Sequence, residues 1–188
     1  DLDGTLFYPK QVKRCISKKN VKFLQDWIDD GNKLVLVTSR SYEFTHKLKD
    51  EINRDFDHIN CTSSQVYVDD KLVRDIYMDK TALKEILDYI NAVGKPIAYL
   101  MTTKNYQLVI KQNKPVSKFI FFIYKLWHFF QFKYREKCII SNEIFDDELN
   151  NGECYKVMVF YGFKKGNKKL AKEMNKVLRE KYPTIESS

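Results

Sequence analysis

The chain has 188 residues, with 33 lysines and arginines against 25 aspartates and glutamates, a formal net charge of +8. That length suits one domain, or a small one carrying a large insertion. With 44% hydrophobic and 31% charged residues a disordered chain is excluded, and six glycines and four prolines exclude collagen-like and low-complexity ones.

In chain order, Ser17 suits a helix N-cap, and Val21, Leu24 and Ile28 then form an apolar stripe with Phe23 and Trp27 beside it. Gly31 stops that helix. Leu34 to Val37 is a continuous apolar run, which predicts a central parallel strand covered on both faces. The run ends at Thr38-Ser39-Arg40. A second helix is predicted from about Ser41 through Phe44, Leu48 and Ile52, and a short strand at Ile59-Asn60-Cys61.

From about residue 62 the pattern changes. Gln65 to Val68 and Leu72 to Tyr77 flank Asp69-Asp70-Lys71 as a β-hairpin. Leu83, Ile86, Leu87 and Ile90 share a helix face closed by Gly94, and Ile97 to Met101 pairs with Tyr106 to Ile110. The aromatic stretch Phe119 to Tyr134, interrupted by Lys125 and Lys133, reads as a helix face buried against the sheet, with a partner surface or a substrate-closing lid as alternatives. Lys156 to Tyr161 predicts a last strand. Leu170, Met174 and Leu178, set among lysines, predict a closing amphipathic helix with a solvated basic face. Strand, strand, helix, repeated, describes an antiparallel sheet with helices on one face.

Charge and cysteines narrow the partners. A basic surface attracts nucleic acid, anionic lipid or phosphorylated small molecules. The terminal helix lacks the aromatic–basic interleaving that single-stranded nucleic acid uses, so nucleic acid is not the expected partner. No apolar run is long enough to span a bilayer, and no membrane role is expected. Cys15, Cys61, Cys138 and Cys154 are widely spaced, and His46, His58 and His128 do not complete a zinc set with them. Free thiols in a reducing, cytoplasmic setting are expected.

Asp1-Leu2-Asp3-Gly4-Thr5-Leu6 carries the most chemistry. Two carboxylates two residues apart, released from strand geometry by Gly4, can converge on one point. One can attack a phosphorus centre while the other delivers a proton to the leaving oxygen. A divalent cation would neutralise their repulsion with the phosphoryl group. Thr38, with free amides at a strand end beside a helix N-terminus, makes an anion site.

The first string resembles the first motif of the haloacid dehalogenase (HAD) superfamily, and Leu34 to Thr38 is similar to its second. Thr38-Ser39-Arg40 resembles the Thr-Gly-Arg of Cof-type phosphatases, which carry a large cap after the third core strand. The resemblance implies an α/β fold, a partial Rossmann-like parallel-sheet core over residues 1–61 with a large α+β cap over 62–188. It implies Asp1 as the nucleophile that becomes an aspartyl phosphate and Asp3 as general acid and base. The Asp1 carboxylate and the Asp3 carbonyl would bind Mg²⁺. Thr38 and the Ser39 N–H would hold the phosphoryl group, and Arg40 would orient substrate or make a surface or helix contact. The expected reaction is Mg²⁺-dependent hydrolysis of small phosphorylated metabolites, sugar phosphates foremost. A phosphomutase, or a non-catalytic binding protein on a degenerate or truncated scaffold, is the alternative.

The sequence departs from the family pattern in two places. Thr62-Ser63-Ser64-Gln65 stands where Cof-type chains have an Asn-Gly-Ala-like turn. The later lysine and the Gly-Asp-x-x-x-Asp motif are not recognisable: Lys156 follows no suitable context, and Asp146-Asp147 lacks the glycine and a preceding apolar strand. The sequence is therefore expected to be part of a longer chain and, by itself, to bind Mg²⁺ weakly and hydrolyse poorly.

Overall fold

The computed structural model describes residues 1–8, 14–94, 96–113, 137–162 and 165–182. The aromatic stretch Phe119 to Tyr134 lies outside them. Residues 1–8 form a turn, not a regular helix: Gly4 takes φ 80°, which a residue with a Cβ adopts only under strain. The turn closes through the Phe7 N–H on the Leu2 carbonyl at 2.9 Å, and the Leu2 side chain is fully buried.

Helix α1 (Lys18–Asp29) begins as its cap predicts, the Ser17 hydroxyl accepting the Asn20 N–H at 3.2 Å. It buries Val21 and Leu24 and leaves Phe23 and Trp27 stacked on its exposed side. The next segment folds as β1 (Val35–Val37), α2 (Tyr42–His46), α3 (Lys49–Ile52) and β2 (Asp57–Asn60), with β1 and β2 parallel. The single helix expected from Ser41 is thus broken in two, and Asn53, at φ 52°, ends the second piece in the left-handed conformation. Strands β3 (Gln65–Val68) and β4 (Lys71–Asp75) form the expected hairpin. Asp69 and Asp70 both have positive φ, 48° and 61°, the backbone of a tight two-residue turn whose twist matches paired strands.

One expectation is corrected here. Sheet order is β1-β2-β3-β4, so β1 is an edge strand among the described residues. Only Leu36 of β1 is buried, and Val35 and Val37 are 45% exposed. The hairpin joins this first sheet, β3 pairing antiparallel to β2, and the second sheet begins after Asp75. A hairpin pattern states its own pairing but not which outside strand its edge will meet.

The second sheet runs β7-β6-β5-β8, from β5 (Ala98–Thr103), β6 (Leu108–Gln112), β7 (Cys138–Ile140) and β8 (Cys154–Phe160). Helices α4 (Lys80–Val93), α5 (Asn142–Asn151) and α6 (Lys165–Arg179) pack on one face through a single cluster. Leu83, Leu87, Phe145 and Met174 from the helices meet Tyr99, Met101 and Val109 from the strands. Alternation puts Ala98, Leu108 and Ile110 on the opposite face. The predicted antiparallel sheet holds for β5 with β6 and β8, whereas β6 and β7 are parallel. Neither the three-residue β7 nor α5 was visible as a periodic pattern.

Burial keeps several polar groups in one state. Cys15, Cys61 and Cys154 are buried, and burial pushes the Cys154 thiol up to about 12, which makes it inert. His58 is fully buried and pushed down to about 4, so its ring is neutral. Glu51 of α3 is buried among apolar side chains and accepts the Cys15 N–H at 3.0 Å and the Ile16 N–H at 3.0 Å. It thereby ties the segment before α1 to the core. Glu51→Ala orphans both buried donors and should lower the free energy of unfolding by roughly 2–4 kcal/mol, read from urea melts of parent and variant; a change below about 0.5 kcal/mol would show that this tie is not structural.

Candidate active site

Arg40 organises the site. It follows β1, and its guanidinium lies 4.2 Å from the centroid of the buried Phe44 ring, which fixes the side chain from α2. From there Nε donates to Asp3 Oδ2 at 2.8 Å and Nη2 donates to Asp3 Oδ1 at 2.7 Å. This two-pronged pair spans 37 residues of sequence and pins the opening turn to the end of β1. A contact of Arg40 with Asp3 was not among the roles the sequence offered for it.

Thr38 sits at the same strand end and is buried. Its N–H continues the ladder to the Ile59 carbonyl at 2.9 Å, and its hydroxyl oxygen accepts the Arg40 N–H at 3.2 Å. Ser39 is exposed between them. Asp1 is exposed on the opening turn and accepts the Thr5 hydroxyl at 3.4 Å. Asp3, Thr38, Ser39 and Arg40 therefore form one connected group, and Asp1 joins it through the turn it shares with Asp3. The Asp1 carboxylate and the Asp3 carbonyl are hard oxygen donors of the kind Mg²⁺ takes, while the Asp3 side chain is already engaged by Arg40.

Sequence reading set Lys156 aside. The structure carries it across from β8 in the second sheet, with Nζ donating to the Ser39 carbonyl. Its signal was available in principle, as a single cation inside the otherwise apolar Cys154–Phe160 strand, but only the relation between the two sheets gives it a destination.

The turn after β2 connects these parts. Cys61, Thr62 and Ser63 all have positive φ, 49°, 59° and 73°, although none is glycine. Thr62 is β-branched, and the left-handed region costs such residues on the order of 1–2 kcal/mol. Neighbouring bonds hold the turn: the Cys61 N–H donates to the Arg40 carbonyl at 3.0 Å, and the Ile76 N–H to the Ser64 carbonyl at 2.9 Å. Strain of this kind collects where the surroundings over-determine the backbone. Here those surroundings are the Arg40 loop on one side and β8 on the other, the Ser64 hydroxyl lying 3.5 Å from the Tyr155 carbonyl.

Parallel pairs in both sheets, with an acidic turn pinned by an ion pair to the end of β1, define an α/β class of molecule. The family model for haloacid dehalogenase-like hydrolases matches residues 1–188, and the chain belongs to that family. Among curated proteins the sequence has no significant match. Among solved structures it is similar to a haloacid dehalogenase-like hydrolase from Bacteroides thetaiotaomicron, at a TM-score of 0.65 and 15% identity over 100% of this chain and 66% of that one. It is also similar to a Thermotoga maritima protein, at a TM-score of 0.62 and 15% identity over 96% and 60%. A sugar phosphatase of HAD subclass IIB aligns at a TM-score of 0.57 and 15% identity over 85% and 56%. At these identities the likeness shows the fold, and the chain spans less than two thirds of each of these structures.

Replacing Thr62 by glycine should remove the left-handed cost and raise the free energy of unfolding by about 1 kcal/mol. A thermal or urea melt checks this, and a loss of stability would mean that the threonine side chain itself holds the turn.

Proposed function

We propose that the protein hydrolyses phosphate monoesters of small metabolites, sugar phosphates foremost, through an aspartyl phosphate on Asp1. The observation that carries the reading is the meeting of Asp3 and Arg40, 37 residues apart, beside Thr38 at a strand end. Membership of the haloacid dehalogenase-like hydrolases supports it, as does similarity to a subclass IIB sugar phosphatase.

In this reading the Asp1 carboxylate attacks phosphorus, the bond to the leaving oxygen breaks, and the Asp3 carboxyl gives that oxygen its proton. Water then attacks the phosphorus of the aspartyl phosphate, Asp3 takes the proton, and inorganic phosphate leaves with Asp1 restored. The Thr38 hydroxyl and the Ser39 N–H bind phosphoryl oxygens. The Asp1 carboxylate and the Asp3 carbonyl would hold Mg²⁺, which supplies neutralisation of the phosphoryl charge. Arg40 must leave Asp3 for that residue to carry a proton, and an arriving phosphate dianion competes for the guanidinium with more charge than a carboxylate. Lys156 brings a second cation from the β8 sheet, which serves as the cap that selects substrate. The net charge of +8 favours anionic substrates over long range.

One observation favours a second reading, a binding protein without turnover: both Asp3 oxygens are already taken by Arg40. Hydrolysis of p-nitrophenyl phosphate, with Mg²⁺ and with a chelator, separates the two. The enzyme reading expects metal-dependent release of nitrophenol that falls on the order of 10³-fold or more in Asp1→Asn; folded protein without turnover leaves the binding reading. For Lys156→Met, a KM about tenfold higher with a smaller change in kcat is expected, and unchanged kinetics would remove Lys156 from the site.

A further inference from the structure

His46 of α2, His58 of β2 and Asp70 of the β3–β4 turn meet outside the candidate active site, one ligand atom of each lying within 4.8 Å of the others. His58 is fully buried, and among the described residues neither of its ring nitrogens has a hydrogen-bond partner. The Phe56 ring at 4.7 Å and the Tyr42 ring at 5.7 Å pack around the imidazole. Leaving such a polar group buried and unpaired is unfavourable, and an ion bound at one nitrogen satisfies that nitrogen.

We propose that His46, His58 and Asp70 bind a divalent transition-metal ion of the zinc type. Two imidazole nitrogens and one carboxylate oxygen are a donor set such ions take, and three protein ligands leave a position for water. His46 Nδ1 and Asp70 Oδ1 are 3.8 Å apart, against roughly 3.3 Å between two ligands of a tetrahedral ion with bonds of about 2.0–2.1 Å. Both side chains are half exposed, which leaves room for them to close on the buried His58.

Two present contacts must yield. The Tyr42 hydroxyl, 3.1 Å from His46 Nδ1, gives up that hydrogen bond when the nitrogen binds the ion. Lys49 is the competing cation, its ammonium on the Asp70 oxygens at 2.6 and 2.7 Å. It also bonds Asp55 at 3.0 Å and keeps that partner when Asp70 turns to the metal. The adjoining cleft carries Asp55, Asp57, Asp69 and Asp70 against only Lys33 and Lys49, so a dication reduces the local charge imbalance. The bound ion clips α2 and the hairpin turn onto β2.

The probe is Co²⁺, added to the metal-free chain. One equivalent should give the d–d absorption of an ion held by nitrogen and oxygen, Zn²⁺ should displace it, and metal should raise the thermal midpoint. His46→Ala and Asp70→Asn, both at exposed positions, should each weaken binding by about 100-fold or more, with circular dichroism confirming the fold. Asp1→Asn should leave the absorption in place, which separates this site from the proposed reaction. No d–d absorption in the parent, a thiolate charge-transfer band in its place, undiminished binding in either site variant, or loss of the absorption in Asp1→Asn each overturns the proposal.

Discussion

The site depends on one ion pair. Arg40 reaches Asp3 with two parallel hydrogen bonds while its own plane rests near Phe44, and so joins the opening turn, the end of β1 and helix α2. Asp3 is half exposed, so the pair adds little to stability through charge alone. Its contribution is geometric: a planar fork accepts a carboxylate in one orientation, and the stacked ring denies the guanidinium its alternatives. The turn is otherwise anchored at its far end, by the buried Leu2 and Phe7 and by Asn20 donating to the Leu6 and Tyr8 carbonyls, so the pair is what fixes the Asp3 carboxylate.

The second constraint is the turn between β2 and β3, which faces the second sheet through Ser64. Three consecutive left-handed residues are an unfavourable local choice, and they persist because both flanks are fixed, one to the Arg40 carbonyl and the other to the strand pairing of β3 and β4. The segment after β4 then docks on the second sheet through the Met78 N–H and the Cys154 carbonyl at 2.7 Å. That docking aligns β8 so that Lys156 meets the Ser39 carbonyl. A charge from one sheet is thereby delivered to a loop of the other, which is how two layers with separate apolar clusters come to share a polar site.

Elements whose signal is local were legible. Ser17 with its apolar stripe, the Asp69-Asp70 hairpin, the α4 face of Leu83, Leu87 and Ile90, and the amphipathic α6 all lie where periodicity and caps place them. The helix after Ser41 was read as one because Phe44, Leu48 and Ile52 keep a helical spacing. The chain uses that spacing in two short pieces that bury the same face. The four-residue apolar run of β1 suggested a central strand, yet continuous apolarity reports composition and not neighbours, and Val35 and Val37 remain half exposed.

The sequence by itself determined the acidic opening turn, the hydroxyl at the end of an apolar strand, and the family those two strings define. Each is a short-range pattern, set by the backbone freedom of a glycine or the end of a ladder. Tertiary structure alone decided that Arg40 faces Asp3, that the hairpin extends the first sheet, that Lys156 crosses to Ser39, and that His46, His58 and Asp70 converge. These are meetings of residues far apart in the chain, and their energies depend on burial and on fixed angles that exist only once both layers have packed.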